Sequence, residues 1–345
     1  MLNRTKSPHV AVTVKDIARV AGVSVATVSR ALNNPGRVNE RTAARVRAAA
    51  ADLNYIPSRA AGSLVSKRFK AVGAVMPTIE NPIFAKALHA LQARLNEDGY
   101  NLLVASTNYD LDEEGTALQS LMEHGIDAIV LVGSQRRSHV SELLKRTGIP
   151  FVNTWVYEPN GGPPCIGLDN EAAMYRMATY LLDLGHRDFA IISGVTEHND
   201  RAARRKAGAL RALRERGVEV RPERVIETPY TIGAGRSSMR TILSQGCPPS
   251  AVMCGNDVLA FGAVYECLAQ GINIPKEISI TGFDDFELSS HMIPSLTTIR
   301  VPATEMGIAA AEFLVGVLED RPVNLYTEFE AELIVRGSAG PFRAS

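Results

Sequence analysis

Between Val14 and Asn33 the apolar positions keep a helical spacing that is broken once, at Ala21-Gly22-Val23-Ser24. Two short helices joined by so tight a turn have few ways to pack. Thr13-Val14-Lys15-Asp16 has capping-box spacing, a hydroxyl followed three residues later by a carboxylate, and predicts where the first helix opens. Ile17, Ala18 and Val20 are expected to face inward. Gly22 tolerates the left-handed backbone that a sharp exit needs. Ser24 is placed to cap the second helix, whose Val28 and Leu32 turn back on the first. Asn39 then caps an Ala/Arg-rich third helix reaching about Leu53. The unit is a helix-turn-helix with a supporting helix.

The second helix sets Ser, Thr and Arg opposite its Val and Leu, a pattern suited to a DNA major groove. Val25, Ala26, Ser29 and Arg30 are expected to face base edges. Arg30 suits bidentate bonding to guanine, and Val25 and Ala26 suit thymine methyls. Ser24, Thr27, Asn33 and Lys15, with Thr13 beside them, suit phosphates. A plain three-helix bundle has the same spacing, and charge separates the two readings. Residues 1–70 carry thirteen Lys and Arg against three Asp and Glu, although the whole chain is neutral. Such a split points to a polyanion-binding head on a body that repels polyanions.

A chain of 345 residues is long enough for two or three domains. Cys165, Cys247, Cys254 and Cys267 form no C-x-x-C pair and read as reduced core thiols, without disulfide or metal. "MLNRTKSPHVAV" has no secretory apolar run, and "MGIAAAEFLVGVL" is too short to span a bilayer. A cytoplasmic protein with no membrane contact is expected.

From Ala71 the rhythm changes. "AVGAVMP", "NLLVAST", "DAIVLVG" and "PFVNTW" alternate with helices near 82–98, 112–124 and 138–147. A second set, "CIGLDN", "DFAIISG", "RVIETP", "SAVMCGN" and "ISITGFDD", alternates with helices near 171–184, 201–216, 233–245 and 257–270. A last helix near 303–319 and an extended tail follow. Apolar strands alternating with helices predict an α/β fold of doubly wound parallel sheets, here in two lobes. Ligands in such sheets sit outside the carboxyl ends of the strands. Phe84 in "ENPIF" is then a candidate apolar wall. Trp155, the sole Trp, ends a strand and reads as a cleft platform or as core filler. "HNDRAARRKAG" offers Asn199, Asp200, Arg201 and Arg205, with His198 beside them. Arg205 or Arg201 has the fork that grips hydroxyls or carboxylates, or else forms a surface ion pair.

"VKDIARVAGVSVATVSRALN…LNYIPSRAAGSL" closely resembles the DNA-binding head and hinge of the lactose/galactose-repressor family of bacterial transcription regulators. The resemblance covers the whole chain. It implies a head at 1–56 and a hinge at 57–69. A body at 70–345 would be shaped like periplasmic sugar-binding proteins. Lobe one would take about 70–165 and 300–328, and lobe two about 166–287 and 329–340, with crossings near 165, 287 and 328. The stretch Pro57–Leu64 would be a helix that orders on DNA, Leu64 prying open the minor groove, with Tyr55, Arg59 and Ala61 around it. Arg205, Tyr230, Asn256 and Asp284 match effector-contacting positions, while Asp257 and Asp285 are expected to brace the lobe. Members that bind sugars often carry Asp where Trp155 stands. That departure, with Tyr230 and Phe84, favours a flatter effector, and the class stays open between a sugar and a small carboxylic acid.

The resulting expectation is a homodimer on a near-palindromic double-stranded operator, a repressor rather than an enzyme, needing no cofactor. The dimer seam is expected on lobe one and its 303–319 helix. No phosphate-binding loop, nucleophile elbow or H-E-x-x-H occurs, and the seven histidines are scattered. A periplasmic-type binding protein without DNA function remains the alternative, and the basic head speaks against it.

Overall fold

The computed structural model describes residues 12–33, 35–55 and 68–342. The chain divides into two units, Met1–Phe69 and Lys70–Ser345.

In the first unit, α1 spans Val14–Ala21, α2 Val25–Asn33 and α3 Glu40–Asp52. Asp16 accepts the Thr13 N–H at 3.0 Å and the Thr13 hydroxyl at 2.7 Å, which fixes the start of α1. Gly22 ends it at φ 61°, and the Val23 N–H reaches back to the Ala18 carbonyl at 3.0 Å. Ser24 Oγ accepts the Thr27 N–H at 3.1 Å, and Asn39 caps α3 through the Arg41 N–H. Ile17, Ala18, Ala21, Val28, Ala31, Ala43, Val46 and Ala49 form the core, with Leu32 and Tyr55 packed on it. Val20 does not join them and is 54% exposed, against expectation. The buried stripe runs through 17, 18 and 21, and residue 20 falls about 110° around the helix from its centre.

The second unit holds two parallel sheets. The first consists of β1 (Ala71–Met76), β2 (Asn101–Ser106), β3 (Ala128–Val132), β4 (Phe151–Thr154), β5 (Cys165–Gly167) and β11 (Tyr326–Glu328). Their order is β11-β5-β4-β3-β1-β2. Alternate residues of β1 feed two cores. Val72, Ala74 and Met76 meet α4 (Pro82–Glu97) and α12 (Ala303–Leu318) on one face. Ala71 and Val75 meet α5 (Leu111–Glu123) and α6 (Ser138–Thr147) on the other. Apolar residues on both sides are what a sheet covered on both faces requires.

The second sheet, β7-β6-β8-β9, is built from β6 (Phe189–Gly194), β7 (Val225–Thr228), β8 (Ala251–Cys254) and β9 (Ser279–Thr281). Around it lie α7 (Asn170–Asp183), α8 (Asp200–Glu215), α9 (Ile232–Leu243) and α10 (Asp257–Ala269). The short α11 (Glu287–His291) and the antiparallel pair β10 (Thr298–Arg300) and β12 (Glu332–Ile334) complete it.

Three expectations need correction. "CIGLDN" opens with β5, which pairs with β4 and β11 and so completes the first sheet. The crossing expected near 287 lies after β10. Asp257 accepts from Phe286 N, Ser289 Oγ and Thr298 Oγ1, which keeps that stretch on lobe two. Cys247 is exposed, because Gly246 and the Pro248-Pro249 pair hold it in a loop, while the other three thiols are buried.

Candidate functional site

In the head, α2 presents an open face. Ser24, Val25, Ala26 and Arg30 are exposed, Thr27 and Ser29 half-buried, and Thr13 and Lys15 exposed beside them. The Ser24 and Thr27 hydroxyls stand 2.9 Å apart and hold the turn. The Tyr55 ring is half-buried against the head's core. Arg59, Ala61, Leu64 and the Asn33 side chain lie outside the described residues. Arg30 is thus the long donor on the open face of α2. Exposed Lys15, Arg37, Arg41 and Arg45 add positive charge to the unit.

In the body, the strand ends of the two lobes converge on one cavity. Asn81, Ile83, Phe84, Tyr109 and Trp155 line it from lobe one. Asn199, Arg201, Arg205, Tyr230, Asn256 and Asp284 line it from lobe two. The walls approach until ≈ 20 Å³ of free volume remains between them. That space suits about one water, so a ring-sized ligand needs the walls apart.

Local structure places each group. Trp155 follows β4 at φ 63°, with its carbonyl held by Asn170 Nδ2 at 2.8 Å. Its indole meets the Phe84 ring edge-on, centroids 4.9 Å apart. Trp155 Nε1 and Tyr230 Oη are buried with no hydrogen-bond partner among the described residues. Buried polar atoms are seldom left so, and these two mark where a polar ligand atom fits. Arg205 stacks 4.5 Å over the Phe283 ring and donates to the Gly255 carbonyl at 2.9 Å. Its guanidinium is 4.0 Å from Asp284, whose backbone takes φ 120°. Burial pushes the Asp284 carboxyl well above the usual carboxylate range, against the pull of Arg205. Asn256 and Asn199 cap α10 and α8, accepting from Leu259 N and Ala202 N.

Two expected contacts lie elsewhere. Asp200 does not line the cavity, because its carboxylate is taken up by the backbone of Ser134 and Gln135 in lobe one. His198 faces a neighbouring compartment with Glu114, Gln135, Tyr109 and Arg201. Sequence reading missed Asn81, Ile83 and Tyr109. Tyr109 stands three residues past β2, so the strand-end rule applied to "NLLVAST" would have found it. Asn81 and Ile83 flank Pro82 in "ENPIF", where only Phe84 drew notice.

Comparison with known proteins adds the following. Residues 13–58 match the model described as bacterial regulatory proteins, lacI family. Residues 178–339 match the periplasmic binding protein-like domain. The HTH-type transcriptional repressor CytR of Escherichia coli (strain K12) is 31% identical, covering 97% of this chain and 98% of that protein. The HTH-type transcriptional repressor PurR of Glaesserella parasuis serovar 5 is 33% identical, covering 94% and 98%. Among solved structures, a LacI-family regulator from Silicibacter pomeroyi superposes with TM-score 0.87 at 27% identity, covering 96% of this chain and all of that one. The lac repressor dimer bound to operator and the anti-inducer ONPF superposes with TM-score 0.84 at 25% identity, covering 96% and 99%.

Proposed function

The chain belongs to the lacI family of bacterial regulatory proteins and is a DNA-binding transcription regulator with a small-molecule effector site; from that premise we propose a homodimeric repressor controlled from the cleft between its lobes. Residues 1–56 form the reading head, 57–69 the hinge and 70–345 the effector-binding body. The family is one of regulators rather than enzymes. No helix of the described residues is long and apolar enough to cross a membrane, and the place of action is the cytoplasm, where operator DNA lies.

One observation carries the effector assignment. Trp155 Nε1 and Tyr230 Oη are unpartnered beside the paired Arg205 and Asp284. The effector therefore combines a flat face, for Trp155, Phe84 and Tyr109, with hydroxyls or a carboxylate for Arg205 and Arg201. A sugar or a small carboxylic acid meets that description. Seating it moves the lobes, so effector and operator affinities are reciprocally linked.

Two copies reading two half-sites imply a near-palindromic operator. The dimer seam includes the open hollow lined by Ile232, Phe261, Phe286 and Leu288 of lobe two together with Pro82 of lobe one. Ile232 and Leu288 are more than 40% exposed there, and apolar patches of this kind mark interfaces. The 303–319 helix, also expected at the seam, buries Met306, Ala310 and Leu314 in lobe one and leaves Ile308 37% exposed on its outer face.

The test is Trp155 fluorescence against sugars, nucleobases and carboxylic acids, followed by operator binding with any responder. A saturable response that Arg205→Ala abolishes, with a matching change in operator affinity, is expected. A responder that binds equally well to Arg205→Ala, or leaves operator affinity untouched, refutes the assignment.

A further inference from the structure

Asp200 fits the loop at Gly133–Arg136 more closely than a ligand cleft requires. Asp200 opens α8 in lobe two, and the loop leaves β3 in lobe one. Asp200 Oδ2 accepts from Ser134 N at 2.5 Å, Gln135 N at 3.1 Å and Ser134 Oγ at 3.0 Å. Oδ1 accepts from Arg201 N and Arg201 Nη1, each at 2.8 Å. Successive backbone N–H groups turned to one point form an anion-binding concavity. Its shape is fixed from behind. Arg136 donates to the Gly133 carbonyl at 3.0 Å and to the Ser134 carbonyl at 3.3 Å, and stands 3.5 Å from the Glu114 carboxylate. The four charged side chains are between 5% and 11% exposed. Gly133 sits at φ 78°, where a Cβ would overlap Arg201 Nη1 and lie 2.7 Å from Asp200 Oδ1. A side chain at 133 would have to displace the tips of that charged pair, and φ 78° is strained for any residue but glycine.

We propose that Asp200 is an interlobe latch, received by Gly133–Gln135, which holds the two lobes together through the chain's own contacts. The inference rests on the cleft being the effector site. Arg201 and Arg205 follow Asp200 on the same helix, so separating the walls for a ligand strains the latch first. Burial strengthens its charge-assisted bonds, and opening exchanges them for water.

The full chain tests this without ligand or DNA. Spin labels at Glu123→Cys on α5 and Arg214→Cys on α8, both exposed, report the interlobe distance once Cys247→Ser has removed the exposed native thiol. In dimers diluted with unlabelled chain, so that one protomer carries both labels, the parent is expected to give one short interlobe distance. Asp200→Ala and Gly133→Ala attack the latch from opposite lobes. Each is expected to lower the ratio of closed to open chains by about tenfold or more. An unchanged distance distribution in either variant overturns the latch. Operator affinity of the same variants then tests the underlying reading. Opened lobes with unaltered operator affinity leave the latch standing and refute the coupling of lobe arrangement to DNA.

Discussion

The Tyr109 ring of lobe one lies against the Tyr230 ring of lobe two, with centroids 5.6 Å apart and planes inclined by 41°. The pair closes the cleft from both sides, and burial pushes the Tyr109 hydroxyl far above its ordinary pKa. The Tyr230 hydroxyl is buried without a partner. An unsatisfied buried hydroxyl costs about 1–3 kcal/mol. Tyr230→Phe keeps the ring contact and removes the orphan. It is expected to raise stability by about 1 kcal/mol in urea unfolding while weakening the effector response. Unchanged or lower stability would show that the hydroxyl is already satisfied.

Arg30 and Lys15 are expected to fail differently. Arg30→Ala should cost about 1–3 kcal/mol on the preferred operator and relax selectivity at one base pair. Lys15→Ala should weaken all DNA about equally and reduce the salt slope of binding by about 1. Binding titrations across salt and single-base operator variants separate the two. Identical behaviour would sink the division between base reading by Arg30 on α2 and phosphate anchoring by Lys15 on α1.

Asp257 is fully buried and accepts from Ser289 Oγ and Thr298 Oγ1 at 2.5 Å each and from Phe286 N at 2.9 Å. It ties α10, whose cap Asn256 lines the cleft, to α11 and β10. Asp257→Ala leaves three buried donors without their acceptor and is expected to cost about 3 kcal/mol in urea unfolding. Ser289→Ala, which removes one donor, should cost about 1 kcal/mol. Equal costs would mean that the knot is not centred on the carboxylate.

Glu266 sets part of the acid limit. The Arg240 hydrogen bond, then that of Gln270, holds its carboxyl down at about 2, from an ordinary 4.5. A depressed carboxylate contributes stability above its unfolded value and loses it as pH falls through the folded one. Thermal unfolding should therefore decline between pH 4.5 and about 2, and Glu266→Gln should flatten that decline. A decline as steep in the variant would assign the acid limb to other groups.

Several features were legible because they are written within a few residues. The Thr13–Asp16 cap, the Gly22 turn and the helix starts at Ser24 and Asn39 depend on spacings of two to four residues. The strand-end rule found Phe84 and Trp155, since a parallel sheet sends such positions to one edge, and the family resemblance supplied Arg205, Tyr230, Asn256 and Asp284. The rule passed over Tyr109, and it placed Asp200 in the cleft because sequence adjacency to Arg201 carries no direction.

The sequence by itself determined the helical head, the alternation of strands and helices, the charge split between head and body, and the residue types available to the cleft. These follow from periodicity, capping chemistry and composition, all of which act locally. Only the tertiary structure decided that β5 joins the first sheet, that Val20 turns to solvent, that Asp200 reaches across to Ser134, and that Tyr109 meets Tyr230. Each depends on partners brought together from distant parts of the chain. Which partner a side chain finds is fixed by how the sheets pack and where the lobes meet, and no spacing along the chain encodes that.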